Sequence, residues 1–169
     1  MKLDLRPGVT NPDLWHPERP SKNEWERIRL QVLERDLHSC QFCGHTAKKW
    51  MNVHHINETD ANNIENLITC CVACHAVLHI GRNLSLGTIE IWESDISQIE
   101  IIKKIRDGIK NGISLLGINK RFSLRKGKYE PKSVQWANSL LKNIKNESRA
   151  SLPEPLCVIF TNLNRWQIE

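Results

Sequence analysis

The chain has 169 residues, of which 40% are hydrophobic and 25% are charged, and its formal net charge at pH 7 is +5. These values are typical of one ordinary globular domain, or of a small catalytic unit with an appendage. No apolar stretch reaches membrane length, the first twenty residues lack the apolar run of a signal peptide, and no internal repeat occurs. We therefore expect a cytoplasmic protein without a membrane partner.

The first region, residues 1–20, predicts an extended N-terminal arm. Its sequence is interrupted by residues that break helices and strands: Pro7, Gly8, Pro12, Pro17 and Pro20. Such an arm either lies over the body of the protein or becomes ordered on binding. We expect Trp15 and His16 to hold it in place.

The second region, residues 21–92, begins with a predicted helix at Lys22, for which Ser21 or Asn23 is the N-cap. An apolar stripe at helical spacing predicts the face that packs on the core: Trp25, Ile28, Val32 and Leu33. The arginines of this helix point elsewhere, and they either contact phosphate or form a solvated face: Arg27, Arg29 and Arg35.

Two Cys-x-x-Cys pairs in this region, separated by residues 44–70, predict a structural zinc site. Four convergent thiolates form a closed tetrahedral shell, and the metal adds folding free energy because the unfolded chain has no preformed site. Ordinary buried thiols and disulfides are the alternatives, although disulfides fit poorly with a chain that lacks a secretion signal. The predicted ligands are Cys40, Cys43, Cys71 and Cys74, whereas Cys70 and Cys157 are left out.

Histidines around the second cysteine pair predict another metal site. Residues 50–56 favour a short strand, in which the adjacent His54 and His55 point to opposite faces. His75 and His79 lie four residues apart in a predicted helix over residues 72–80, so both project from one helical face toward one ion. One strand histidine can complete this shell, while its neighbour stays unligated and able to take a proton from water.

These motifs resemble the HNH endonuclease family, in its zinc-stapled subgroup with two Cys-x-x-Cys pairs. The resemblance covers about residues 25–79 and rests on three motifs in order: His54-His55-Ile56, Glu65-Asn66-Leu67-Ile68-Thr69, and the run from Cys71 to His79. It implies an α+β fold with a ββα-metal core, in which a β-hairpin, an Ω-like loop and a helix hold one divalent cation. Structural zinc and flanking helices complete the expected architecture.

The resemblance also implies roles for the site residues. His55 would be the general base that activates water, and Asn66 would orient the His55 ring through its backbone or side-chain hydrogen bonds. His54, His75 and His79 would hold the catalytic metal, which would be Mg²⁺, Mn²⁺ or another divalent transition metal. One such site would cut one strand of DNA, so we expect nicking.

The third region, residues 93–169, is predicted to be basic and mainly helical. At the end of the second region, Gly81 is suited to a left-handed C-cap of the metal helix predicted over residues 72–80, and residues 87–92 alternate as a strand. Ser94 or Asp95 is expected to cap a helix that ends at about Gly108. Further along, we expect a helix over residues 131–146, a linker over 147–155, and a short apolar strand or partner-binding segment over 156–160.

Residues 89–105, with the sequence IEIWESDISQIEIIKKI, more faintly resemble a second family. These are zinc-binding adaptors of the Dot/Icm type IV secretion coupling complex, which are themselves derived from the HNH fold. That resemblance implies a fold used for protein contacts rather than for catalysis.

Positive charge is concentrated between residues 103 and 145, where twelve basic residues and two acidic residues give +10 in a chain whose total is +5. Within it, residues 120–129 interleave cations with Phe122 and Tyr129, as a loop that follows phosphates and stacks on bases would. A solubilising surface loop is the alternative. The predicted nucleic-acid contacts are Lys120, Arg121, Arg125, Lys126 and Lys128.

We interpret the sequence as a metal-dependent HNH endonuclease that hydrolyses DNA phosphodiester bonds. Two alternatives stay open: a non-catalytic HNH-derived zinc-binding adaptor, and a DNA-binding module without chemistry. A homodimer or a protein partner is compatible with each of these functions.

Overall fold

The computed structural model describes residues 3–11, 13, 20–57, 63–128, 130–143, 147, 149–152 and 155–162. The fold class is mixed α+β, as the sequence predicts. In chain order the elements are β1 (Gly8–Thr10), α1 (Lys22–Arg35), β2 (Met51–His55), β3 (Leu67–Cys71), α2 (Val72–Leu78), α3 (Ile80–Ser85), β4 (Ile89–Glu93), α4 (Gln98–Lys110), α5 (Leu115–Asn119), α6 (Val134–Asn143), β5 (Arg149–Ser151) and β6 (Leu156–Phe160).

The strands form antiparallel pairs rather than one large sheet. β2 pairs with β3 in a register that sets His54 opposite Ile68 and His55 opposite Leu67. β4 pairs with β6 near the C-terminal end, and β1 pairs with β5. The β1–β5 pair joins the predicted N-terminal arm to the segment expected to be a linker, and Leu5 and Val9 are buried against the core.

The short helix α2 lies at the centre of this arrangement. It contacts β1, β2, β3 and α3, and its Ala73, Val77 and Leu78 are fully buried. α4 adds a second apolar layer through Ile101, Ile102 and Ile105, which are spaced as an amphipathic helix requires. Among the helices that the structure describes, none is both long and apolar enough to cross a bilayer.

Helix α1 begins where the sequence predicts, and its arginines have a role that the sequence did not indicate. The Ser21 side chain caps the helix by accepting a hydrogen bond from the Glu24 backbone N–H. Arg29 donates to the Met51 carbonyl, and Arg35 donates to the carbonyls of Ile64 and Leu67. These two guanidinium groups therefore hold the helix against the β2–β3 hairpin and the turn before β3, a role that neither predicted alternative included.

Two local predictions were wrong, and two others lie outside the described residues. Gly81 lies inside α3 and does not cap the end of α2, because the chain resumes helical geometry at Ile80. Ser97, rather than Ser94 or Asp95, caps α4 by accepting from the Glu100 backbone N–H. Residues 14–19 and 144–146, which include Trp15, His16 and the predicted end of α6, are outside the described part of the chain.

The contact between α4 and α5 provides a test of the packing. A methyl group at Gly108 would lie 2.6 Å from two side-chain atoms of the buried Ile118. We expect Gly108→Ala to lower the free energy of unfolding by about 1–3 kcal/mol, because overpacking forces neighbouring atoms apart. Gly81→Ala is the matched control, since nothing lies within 4 Å of its added methyl group.

Urea denaturation of both variants measures this difference. Adding Ile118→Val to Gly108→Ala should recover part of the loss, because it removes one methyl group from the crowded contact. Equal stability of Gly108→Ala and Gly81→Ala would contradict the close approach of α4 and α5.

Candidate metal centres

The four predicted cysteine ligands converge. Their sulfur atoms all lie within 4.8 Å of one another, and Cys43 Sγ is 3.7 Å from Cys71 Sγ. Zinc–sulfur bonds of about 2.3 Å place the corners of a tetrahedron about 3.8 Å apart, which matches this distance. Cys40, Cys71 and Cys74 are buried and Cys43 is half-buried. The group could therefore hold a structural zinc.

Two separate pieces of backbone bring these cysteines together. Cys40 and Cys43 lie in a tight turn after α1, which closes through the Gly44 N–H to the Cys40 carbonyl and requires a positive φ of 77° at Gly44. Cys71 ends β3 and caps α2, because its sulfur accepts from the Cys74 backbone N–H at 3.4 Å. The positive end of the α2 dipole at this position favours thiolate, but the interactions with Cys40 and Cys43 outweigh it and raise the pKa of the Cys71 thiol.

The thiols do not ionise together without a cation. Hydrogen bonds, above all with Cys43, lower the pKa of Cys40, while the pKa of Cys74 is raised, first by its interaction with Cys40. A divalent cation removes this competition because it stabilises all four thiolates. The two cysteines outside the group are different, since burial raises the pKa of the Cys70 thiol and raises that of Cys157 to about 12.

Three histidines form a second cluster beside the zinc group. The ring nitrogens of His54, His75 and His79 lie within 4.8 Å of one another, and the ring centroids are 4.5–5.6 Å apart. β2 supplies His54, which is only 2% exposed, while α2 supplies His75 and its C-terminal end supplies His79. Three imidazoles at these distances could hold one metal ion.

The β1–β5 pair lies over this histidine cluster. Arg149 of β5 donates from Nη1 to His54 Nε2 at 3.2 Å, and Thr10 of β1 places Oγ1 3.3 Å from His79 Nδ1. Because a guanidinium group can only donate, His54 Nε2 is the acceptor in the first contact. The cluster is thus linked to strands from both ends of the chain.

Burial keeps these imidazoles neutral. It is the largest cause, and the charge of Arg149 contributes, in lowering the pKa of His54 to about 2, that of His75 to about 4 and that of His79 to about 3. Neutral imidazole is the form that binds a metal. The cluster therefore stays in a ligating form well below pH 7.

His55, the predicted base, points to the face of β2 opposite His54, because adjacent strand residues alternate, and Asn66, its predicted orienting residue, directly precedes β3. The His55 ring stacks on Trp25 of α1, with centroids 5.8 Å apart and planes inclined by 12°. The Asn66 side chain bonds both backbone groups of Asn57, accepting from its N–H at 2.7 Å and donating to its carbonyl at 2.6 Å. Asn66 thus fixes the backbone two residues beyond His55.

The residues predicted to bind nucleic acid are all exposed: Lys120, Arg121, Arg125, Lys126 and Lys128. Two of them nevertheless pair with carboxylates. Arg125 makes two hydrogen bonds of 2.8 and 2.9 Å to Asp95, and Lys126 pairs with Glu130. Phe122, expected to stack on bases, is only 8% exposed because it packs in the core. Tyr129 lies outside the described residues.

Several residues at these centres were not singled out in the sequence. Arg149 and Thr10 lie in segments expected to be a linker and an arm, and no spacing signal connects them with His54 or His79.

Asp36, which the sequence also did not single out, accepts a hydrogen bond from the Thr69 backbone N–H at 2.7 Å. Burial acts to raise the pKa of Asp36, but hydrogen bonds from Arg35 and Thr69 outweigh it and lower the pKa.

The protein is therefore an α+β protein with two neighbouring clusters of possible metal ligands. One is a four-cysteine group that could hold zinc, and the other is the histidine cluster. No family model matches the chain. The chain is weakly similar to the type 4 apparatus protein DotN of Legionella pneumophila, with 26% identity over 99 residues. The match covers 55% of this chain and 46% of DotN, so the chain matches about half of that relative's length.

Removal of a cysteine ligand tests the zinc site. We expect Cys71→Ser to abolish tightly held zinc and to lower the melting temperature, because the remaining thiols lose their shared cation. Cys157→Ala, which changes a buried thiol outside the group, is the matched control. Zinc content and the thiolate-to-metal charge-transfer band of cobalt-substituted protein report the result. Retention of the band in Cys71→Ser would exclude this ligand set.

Acid titration tests the histidine cluster. A histidine whose pKa is lowered on folding binds fewer protons in the folded state, so its stabilising effect is complete above the unfolded pKa of about 6.5 and is lost as the pH falls below it. We expect the free energy of unfolding of wild type to decrease by about 5–6 kcal/mol from pH 7 to pH 5, about 2 kcal/mol for each of the three histidines. His75→Gln/His79→Gln should show a much smaller decrease.

His38→Gln, outside the cluster, should behave like wild type in this titration. Zinc content is measured at both pH values, so that loss of the four-cysteine site is not mistaken for protonation of the imidazoles. The same pH dependence in the double variant and in wild type would show that the cluster is not the titrating group.

Proposed function

We propose that this chain is a non-catalytic, zinc-stapled adaptor that binds another component of a type 4 apparatus. The observation that carries the proposal is the similarity to DotN, together with a four-cysteine group suited to structural zinc. In this function the zinc joins the turn after α1 to α2 and keeps a small fold rigid enough to present a binding surface. The partner is a protein of that apparatus.

The surroundings of the histidines support a structural role for them. A metal-assisted hydrolase needs open coordination positions and a base that can reach the attacking water. Here His54 is 2% exposed and bonded to Arg149, and His55 is stacked on Trp25. These contacts tie β5 and α1 to the hairpin, which is what a scaffold requires.

The basic surface also supports a protein partner better than DNA. The ion pairs of Arg125 with Asp95 and of Lys126 with Glu130 reduce the positive charge that two of the five cations offer to phosphate. Salt-dependent binding to nucleic acid depends on cations that can replace condensed counterions. Phe122 is packed in the core and offers no stacking face to a base.

Crosslinking in the native host tests the adaptor. The chain is expressed from its own locus with an affinity tag, crosslinked in living cells and purified under denaturing conditions. We expect type 4 apparatus components to be recovered with wild type and with His55→Ala, and to be lost with Cys71→Ser. Recovery of crosslinked partners that include no component of such an apparatus would exclude this function.

A second candidate is the HNH endonuclease that the motifs resemble, and the convergence of three imidazoles favours it, since one of them is His54, which precedes His55 in β2. In this function His55 would take a proton from water, Asn66 would hold the backbone behind it, and the cation would offset charge on the leaving oxygen. DNA would be the substrate, and the exposed cations at residues 120–128 would contact its phosphates.

Nicking of supercoiled plasmid separates the two candidates. Wild type and His55→Ala are incubated with Mg²⁺, Mn²⁺, Ni²⁺ or a chelator, and zinc content is measured in parallel. The adaptor proposal expects no nicking by either protein under any condition, with zinc retained. Metal-dependent nicking that disappears in His55→Ala would establish the endonuclease instead.

A further inference from the structure

A cavity of about 420 Å³ opens beside the histidine cluster, on the side of the N-terminal segment. Its walls come from Leu3, Asp4 and Arg6, from Phe42 in the cysteine turn, from the β2–β3 hairpin and from β5. This volume is in the range of pockets that bind small ligands or single side chains. Four parts of the chain that are distant in sequence therefore build one concave site.

Most of the wall is apolar. Leu3, Phe42, Ile56 and Ile68 all line the cavity. Phe42 and Ile68 are 7% and 8% exposed, whereas Ile56 is 47% exposed and directly follows β2. An apolar group that enters the cavity would bury part of the Ile56 side chain, which is favourable in water.

The polar groups of the wall favour a ligand that carries a single negative charge. Arg6 and Arg149 contribute two positive charges and Asp4 one negative charge, and two minus one gives a formal net charge of +1. Asp4 forms an ion pair with Arg6. Arg149 donates from Nη1 to His54, and a guanidinium group has five N–H donors in a planar fork, so one group can bond both an imidazole and a carboxylate.

We propose that this cavity binds a carboxylate that lies next to an apolar side chain on a partner polypeptide. The inference rests on the proposed adaptor function and names the chemistry of the segment that the adaptor recognises. Arg149 bonds the carboxylate, while Phe42, Ile56 and Ile68 enclose the apolar side chain. The Asp4 carboxylate at the rim and the apolar walls disfavour a phosphodiester chain, which carries a negative charge at every phosphate.

Methyl NMR of isoleucine-labelled full-length protein tests the proposal with defined probes. N-acetyl-leucine represents a C-terminal residue, and acetyl-Leu-Glu-Leu-amide represents a side-chain carboxylate in a chain with blocked ends. We expect at least one of them to shift the Ile56 and Ile68 methyl signals saturably. N-acetyl-leucinamide, which lacks the charge, should bind at least about tenfold more weakly than N-acetyl-leucine if the terminal carboxylate is the one recognised.

Variants separate recognition from folding. Arg149→Gln should weaken the better carboxylate probe at least about tenfold, and Ile56→Gln, observed through Ile68, should weaken it through the lost apolar contact. Leu116→Gln on α5 is the matched control, because it changes another exposed apolar side chain that does not line the cavity. Zinc content shows that each variant is folded.

Three results of the binding measurements would overturn the proposal. The first is absence of saturable shifts with both carboxylate probes. The second is binding of a carboxylate probe that Arg149→Gln and Ile56→Gln leave unchanged. The third is binding of the dinucleotide thymidylyl-thymidine in place of the carboxylates, which would assign the cavity to nucleic acid. If apparatus components are crosslinked equally by wild type and Arg149→Gln, the adaptor function stands and the recognition inference fails.

Discussion

The convergence of four cysteine sulfurs is the constraint on which the rest of this structure depends. The turn that carries Cys40 and Cys43 has no strand or helix of its own, and it is joined to Cys71 and Cys74 at the β3–α2 junction. Thiols this close together compete for protons without a cation, so a zinc ion held by the group would stabilise the folded arrangement. Once the β3–α2 junction is fixed, the direction of α2 follows, and with it the positions of the histidines on that helix.

Polar contacts between α1 and the hairpin act at the next level. Arg29 and Arg35 use their guanidinium groups to satisfy backbone carbonyls at the hairpin, and Asp36 accepts from the Thr69 N–H. Asn66 plays a comparable part through both backbone groups of Asn57. Side chains that look suited to phosphate or catalysis in the sequence are thus engaged in holding the loop ends, where backbone groups would otherwise lack partners.

The β1–β5 pair gives the histidine cluster its particular character. Strand pairing places Thr10 and Arg149 against imidazoles that β2 and α2 supply, and it also forms one wall of the cavity beside them. The same guanidinium group therefore contacts a buried imidazole and faces a cavity with apolar walls. This arrangement is the physical basis for preferring recognition of a polypeptide over hydrolysis of a phosphodiester.

Sequence alone determined the features that depend on local spacing. It grouped four cysteines and three histidines that the structure brings together, it predicted an α+β fold, and it narrowed the α1 cap to Ser21 or Asn23 and predicted the buried Val32 and Leu33. Short spacings encode these features because helices and turns repeat over a few residues. Only the tertiary structure decided the β1–β5 pairing, the cavity, the burial of Phe122 and the contact between His54 and Arg149, which are 95 residues apart. Contacts at that separation depend on how distant elements pack, and no local pattern of residues specifies them.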